Sequence, residues 1–226
     1  MNILFEIATW LVPLTFAIVF HEVAHGRMAY LLGDPTAKDL GRLSLNPIRH
    51  VDPFGTIILP LMLALSSAPI FGWAKPVPFN PARLRNPRWG SVLVSAAGPA
   101  SNIVMALIGA FGVALAARSF GAEDGGTLAS LIIGNLSNFI AINLFLAVFN
   151  MIPLPPFDGS AVLAGFLPDG WRQSFQNLDR YGLLFMIGLI FILPQFGPEF
   201  NVLGKLVGPP VRWLFEHMIT LVSHLV

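Results

Sequence analysis

The stretch Val19-Phe20-His21-Glu22-Val23-Ala24-His25-Gly26-Arg27 sets an H-E-x-x-H pattern inside a run, residues 3 to 32, apolar enough to cross a bilayer. On a helix, positions i and i+4 share a face. The rings of His21 and His25 can therefore reach one metal ion, and Glu22 beside them can take a proton from water. Each ionisable group in hydrocarbon costs roughly 2.5 to 3.5 kcal/mol on insertion scales, so three in a turn and a half call for a strong partner. A zinc ion supplies one. Hydrogen bonding to polar neighbours in a helical bundle is the plainer alternative.

Working outward, hydrophobic residues make up 55% of the chain and charged residues 11%. With a mean hydropathy of +0.72, this is the composition of an integral membrane protein, since soluble domains carry roughly 25% charge. A net charge of +1 with no basic patch implies no nucleic-acid partner; the few Lys and Arg residues sit in short loops where they orient the spans. The chain has no Cys, which excludes thiolate zinc sites and cysteine nucleophiles and leaves His and carboxylate oxygen as metal donors. Because the first apolar run carries the H-E-x-x-H residues and lacks a basic leader, it is expected to be retained as a signal anchor.

The first run ends at Gly33-Asp34-Pro35. Residues 36 to 50 alternate weakly and read as a short strand or hairpin before Asn46-Pro47. Residues 53 to 74 carry no charge, but both flanks are basic, Arg42 and Arg49 before and Lys75, Arg83, Arg85 and Arg88 after. The positive-inside rule puts both flanks in the cytoplasm, so the segment is expected to be re-entrant. Residues 72 to 81, rich in Pro, suit an extended loop or edge strand. Helices are expected over 90 to 117, with many small residues for close packing in lipid, and over 128 to 152, joined by an outer loop at 118 to 127. A Pro and Asp-rich break at 153 to 170 precedes a further span at 181 to 197, and a terminal helix at 201 to 226 with an interfacial position. The expected fold is a membrane α-helical, multi-pass bundle with a small membrane-associated β segment. No repeat or linker divides residues 1 to 226, which read as a single domain.

With 36 to 50 cytoplasmic, the first helix runs inward and sets His21 and His25 in its inner half. The span 128 to 152 also runs inward, so its continuation Phe149-Asn150-Met151-Ile152-Pro153-Leu154-Pro155-Pro156-Phe157-Asp158-Gly159 reaches a similar depth. Catalytic zinc keeps three protein ligands and an open position, and two His plus a carboxylate is an accepted set. Asp158 is the candidate third ligand; an N-cap for a helix from Gly159 is its plainer role. Non-helical backbone at membrane depth is tolerated where it lines a wet cavity, as an active site would.

The set HEVAH, GRLSLNPIRHVDPFG, GWAKPVP, AAGPASN and NMIPLPPFDG, in this order over about residues 15 to 170, resembles the site-2 protease family of intramembrane zinc metalloproteases. The resemblance is to the compact subgroup without a PDZ or CBS domain. It implies zinc held by His21, His25 and Asp158, Glu22 as the catalytic residue, and Asn150, from the N-x-x-P motif, binding substrate or the oxyanion. It implies hydrolysis of peptide bonds in or near transmembrane segments of membrane protein substrates, in a multi-pass protein of the cell membrane whose surroundings are the lipid bilayer. The extended segments 37 to 45 and 72 to 80 are suited to pairing with an unwound substrate by strand addition.

Two other classes compete. A metal-ion or proton transporter would also set His and Asp among membrane helices, but it needs polar groups along both halves of a path, and the outer halves here are almost purely apolar. A non-catalytic membrane scaffold would be indifferent to loss of Glu22. Beside the main cluster, His50 next to Asp52 is a secondary candidate for metal contact, while His217 and His224 carry no assignment.

Overall fold

The computed structural model describes residues 3–65, 72–120 and 126–225. Helix α1 (Ile3–Leu31) is followed by the single-turn α2 (Thr36–Asp39) and the short α3 (Leu59–Leu65). The long helices α4 (Pro87–Phe120) and α5 (Gly126–Asn150) come next. Then follow α6 (Asp158–Phe166), α7 (Asp169–Gln176), α8 (Gly182–Ile187) and α9 (Val202–Leu225). Segments Pro87–Ser119, Leu128–Asn150 and Asp169–Phe196 are each long and apolar enough to cross a membrane. Helix α1, at 29 residues, is about 44 Å long at 1.5 Å per residue. The expected multi-pass helical bundle is present; half of the expected outer loop, residues 121 to 125 with Glu123 and Asp124, lies outside the described residues.

Helices α1, α4 and α5 form the central bundle. Its apolar centre is Ala106 and Ala110 of α4 with Ile140 and Leu144 of α5, all fully buried. Asn138 Nδ2 donates to Thr9 O at 3.2 Å and Asn102 Nδ2 to Ala17 O at 3.1 Å, so α1 is tied to both partners by side-chain amides. Such bonds recur between membrane helices, where no water competes for the carbonyl.

The ends of the charge-free segment are tied together. Lys75 N–H donates to His50 O at 2.8 Å and Trp73 N–H to Gly55 O at 3.1 Å, while the Thr56 hydroxyl donates to Trp73 O at 2.8 Å. A segment with adjacent ends returns to the side it left, as the re-entrant expectation requires; residues 66 to 71 lie outside the described residues.

The β segment is not found: there is no strand among the described residues. Over 36 to 39 the Asp34 carboxylate accepts the Thr36 N–H at 3.1 Å, which starts α2 where weak alternation suggested a strand. Residues 72 to 80 are extended, but Pro76 and Pro78 lack the N–H that a ladder needs, and the Trp73, Lys75, Val77 and Asn80 amides donate to Gly55 O, His50 O, Glu22 and Asp34. The terminal helix also departs from expectation. Leu203 and Val207 of α9 pack with Ile152 and Phe157 just beyond the end of α5, whereas Val222 packs with Ala106, Ala110, Ile140 and Leu144. Helix α9 therefore runs along the bundle, antiparallel to α5, rather than flat at an interface.

Candidate metal centre

One turn of α1, the inner part of α4 and the start of α6 meet at a single point. His21 Nε2 and His25 Nε2 are 3.0 Å apart, and Asp158 Oδ2 is 3.1 Å from the first and 3.3 Å from the second. The three residues form the one His/Asp/Glu cluster of metal-holding geometry among the described residues. Asp158 is the first residue of α6, with Phe157 at the N-cap position; its carboxylate faces the histidines instead of serving as an N-cap.

The opposite ring nitrogens fix the tautomers. His21 Nδ1 donates to Asn102 Oδ1 at 2.6 Å and His25 Nδ1 to Val94 O at 2.7 Å. Asn102 can accept there because its own amide donates to Ala17 O and, at 2.8 Å, to Asn143 Oδ1; Asn143 in turn donates to Phe139 O at 2.9 Å. With the protons on Nδ1, both Nε2 lone pairs and a carboxylate oxygen converge, a donor set that accepts a cation. Zinc fits. Bonds of roughly 2.0 to 2.2 Å at tetrahedral angles set ligand atoms about 3.4 Å apart, close to the separations found here.

The AAGPASN motif is explained by this packing. A Cβ on Gly98 would fall 2.4 Å from His25 Nε2 and 2.7 Å from His21 Cε1, so only glycine lets α4 approach the pair. Asn102, one turn later on the same face, reaches His21. Sequence reading took this motif for close helix packing and for part of the family resemblance, and gave Asn102 and Asn143 no role; two amides within the long apolar runs of α4 and α5 were the signal available.

Glu22 lies beside the cluster, and its Oε2 accepts the Val77 N–H at 2.7 Å. In Pro76-Val77-Pro78 that is the only backbone N–H. The extended segment is held from behind by Arg42, whose guanidinium donates to Lys75 O at 2.6 Å, Pro76 O at 3.3 Å and Arg49 O. Asp34 anchors its far end, with Oδ2 accepting the Asn80 N–H at 2.5 Å. Burial pushes the Asp34 carboxyl up, but hydrogen bonds from Thr36 and the Asn80 amide, with Arg83 nearby, outweigh it and hold the group below the usual carboxylate range.

A cavity of about 600 Å³ opens onto the cluster, lined by Glu22, both histidines, Asp158, Asn150 and the extended segment, within the range of small-molecule and peptide sites. Asn150 donates one amide hydrogen to Leu146 O at 3.0 Å, which leaves its second. His50 is not part of the cluster: it is buried, with Nε2 donating to Ser44 O at 2.7 Å, and it shapes the loop under the extended segment.

Over 183 residues, 81% of this chain and 80% of the relative, the sequence is 40% identical to the "putative zinc metalloprotease" YwhC of Bacillus subtilis. Rip2 of Mycobacterium tuberculosis, which carries the same description, is 28% identical over 96% of this chain and 74% of its own length. Rip2 of Mycolicibacterium smegmatis is 27% identical over 93% and 70%. No family model and no solved structure matches the chain.

Proposed function

Because the chain belongs to the site-2 protease family of zinc metalloproteases, we propose that it is a multi-pass cell-membrane endopeptidase that hydrolyses peptide bonds in or near transmembrane segments of other membrane proteins. The observation that carries this reading is the convergence of His21, His25 and Asp158 beside Glu22 at one mouth of a cavity framed by membrane helices.

In this reading His21 Nε2, His25 Nε2 and Asp158 Oδ2 hold the ion, and Asn102 and Val94 O keep the two rings turned toward it. Bound zinc supplies Lewis acidity toward the scissile carbonyl and the attacking water. Glu22 takes the proton of that water and passes it to the leaving amide nitrogen; the Val77 N–H fixes one of its oxygens and leaves the other for the proton. Asn150 turns its second amide hydrogen toward the carbonyl oxygen as charge develops there, worth about 2.7 to 4 kcal/mol for comparable donors. A substrate helix has every backbone group already bonded, so it must unwind before attack. The outward edge of residues 72 to 80 is available for an extended substrate, although Pro76 and Pro78 leave that edge mostly acceptors.

Purified protein is expected to hold about one zinc per chain and to cut single-span substrates in detergent, with activity lost to a chelator. Glu22→Gln should keep the zinc and lose cleavage, whereas Asp158→Ala should lose both. Equal metal loss in the two variants would mean that the roles are wrongly assigned, and zinc-free active protein would end the reading.

A further inference from the structure

Helix α9 carries a polar ridge in the wrong place for a helix facing lipid. Gly204, Gly208, Arg212, Glu216, Thr220 and His224 recur at steps of four, and all six are exposed. In the same turns Val211, Leu214, Phe215, Met218 and Val222 pack onto Ala106, Ala110, Ile140 and Leu144, the centre of the α4–α5 pair, and the ridge winds from their flank at the glycines to the opposite side beyond Arg212. Arg212 and Glu216 thus lie at the height of the bundle's middle and point away from it. Neither has a salt-bridge partner among the described residues. Ionisable groups at such depth face a protein partner or a wet cavity rather than lipid.

We propose that this ridge is the contact surface with a second copy of the chain. Two features name the occupant. First, Gly204-Lys205-Leu206-Val207-Gly208 is a G-x-x-x-G segment, the spacing that lets two membrane helices cross with their backbones close. A Cβ at Gly208 would meet nothing within 4 Å of its own chain, so packing inside the protomer does not account for that glycine. Second, the ridge is its own complement. Copies inserted in one orientation meet parallel about a two-fold axis along the membrane normal, and residues four apart are one turn apart in height. Arg212 of each copy then meets Glu216 of its partner, twice. The pairing removes both charges from lipid without help from any other protein, and its test reads mass and cross-linking, independent of proteolysis.

The chain has no native Cys, which makes the experiment direct. In native membranes, Gly208→Cys is expected to oxidise to a species of twice the protomer mass, whereas Leu115→Cys, exposed on α4, is not. Arg212→Glu and Glu216→Arg, each alone, should lower the dimer fraction at least about tenfold through like-charge contacts. Co-expression of the two variants with different tags should restore a mixed dimer, because the charges again oppose. Gly208→Leu, whose Cβ meets nothing within 4 Å in its own fold, should leave the protein folded and monomeric. Failure of Gly208→Cys to cross-link to itself, cross-linking only to another protein, charge reversals without effect, or no rescue on mixing would each overturn the proposal.

Discussion

The inner and outer halves of the α1–α4–α5 bundle are built from the same helices but obey opposite rules. In the inner half, Ser95, Asn102 and Asn143 are buried, and Asn102, Gly98 and Val94 O of α4 all bear on the histidine pair of α1. In the outer half, Ala106, Ala110 and Ile140 are buried and Val104, Ile108 and Leu115 are exposed apolar residues. Buried amides are costly unless satisfied, so the inner half holds them only as a closed chain from His21 through Asn102 and Asn143 to Phe139 O. The comparison teaches that polarity in this protein is concentrated where it orients a donor.

A pair of glycines on α4 breaks the comparison most sharply. Gly98→Ala drives a Cβ to 2.4 Å from His25 Nε2. The ring must move, and a displacement near 1 Å at a reacting centre costs about 10²-fold. Cleavage activity and zinc content should both fall. Gly109→Ala in the outer half brings a Cβ to 2.9 Å from Cγ1 of the fully buried Ile140 and 3.1 Å from Phe139 Cδ1, so the apolar core must shift slightly, which offsets the gain of about 1 kcal/mol of helix propensity, but no metal-facing group is touched. Its activity and zinc content should match the parent; a loss as large as that of Gly98→Ala would erase the distinction between the halves.

Next in size is Asn102→Ala, which removes the acceptor that holds His21 Nδ1–H. Partners behind metal ligands are worth 10–100-fold in affinity in other sites, so zinc affinity should weaken by about that factor, readable by competition with a chromophoric chelator. Asn102→Asp keeps the acceptor but sets a carboxylate against Ala17 O and Asn143 Oδ1, so it should not restore the affinity. Unchanged zinc affinity in Asn102→Ala, with intact folding, would reduce Asn102 to a packing residue.

These residues also mark how far the sequence was legible. H-E-x-x-H carries its own geometry, because helical spacing alone puts both rings on one face, and Asp158 followed from counting the direction of spans. The adjacency of the ends of the charge-free segment accords with the return expected from its basic flanks. The strands were not: Asp34 starts a helical turn at Thr36, and the 72–80 amides are spent on Glu22, His50 and Asp34 rather than on a ladder. Helix α9 was misread because its charges suggested a surface, whereas its Val222 face shows burial along the bundle. Asn102 stayed hidden because small residues around it have a sufficient explanation in packing.

Arg42→Lys tests the support outside the bundle. An ammonium cannot reproduce the guanidinium fork on Lys75 O, Pro76 O and Arg49 O. The Val77 N–H then loses its fixed approach to Glu22, a hydrogen bond to a charged group worth about 1.5–3 kcal/mol. Turnover should fall at least about tenfold with zinc content unchanged, which separates this contact from Gly98 and Asn102. Loss of zinc in Arg42→Lys would mean that the extended segment supports the metal ligands as well as Glu22.

The smallest effect is expected at Asp34, where the extended segment is tied to the end of α1. The carboxyl is held below its ordinary range in the folded protein, so the folded state binds its proton more weakly than the unfolded chain does. Its contribution is therefore fully present above the unfolded value of about 3.9 and is lost as pH falls through the lower folded value. Asp34→Asn turns one acceptor into a donor facing the Thr36 or Asn80 N–H, and should cost about 1–3 kcal/mol at neutral pH. Thermal unfolding of the detergent-solubilised protein, followed from about pH 6 to about pH 3, should show the gap between parent and Asp34→Asn closing on acidification. A gap that stays constant would mean that Asp34 acts through shape alone, and the anchor of the extended segment would then be sought in Arg42.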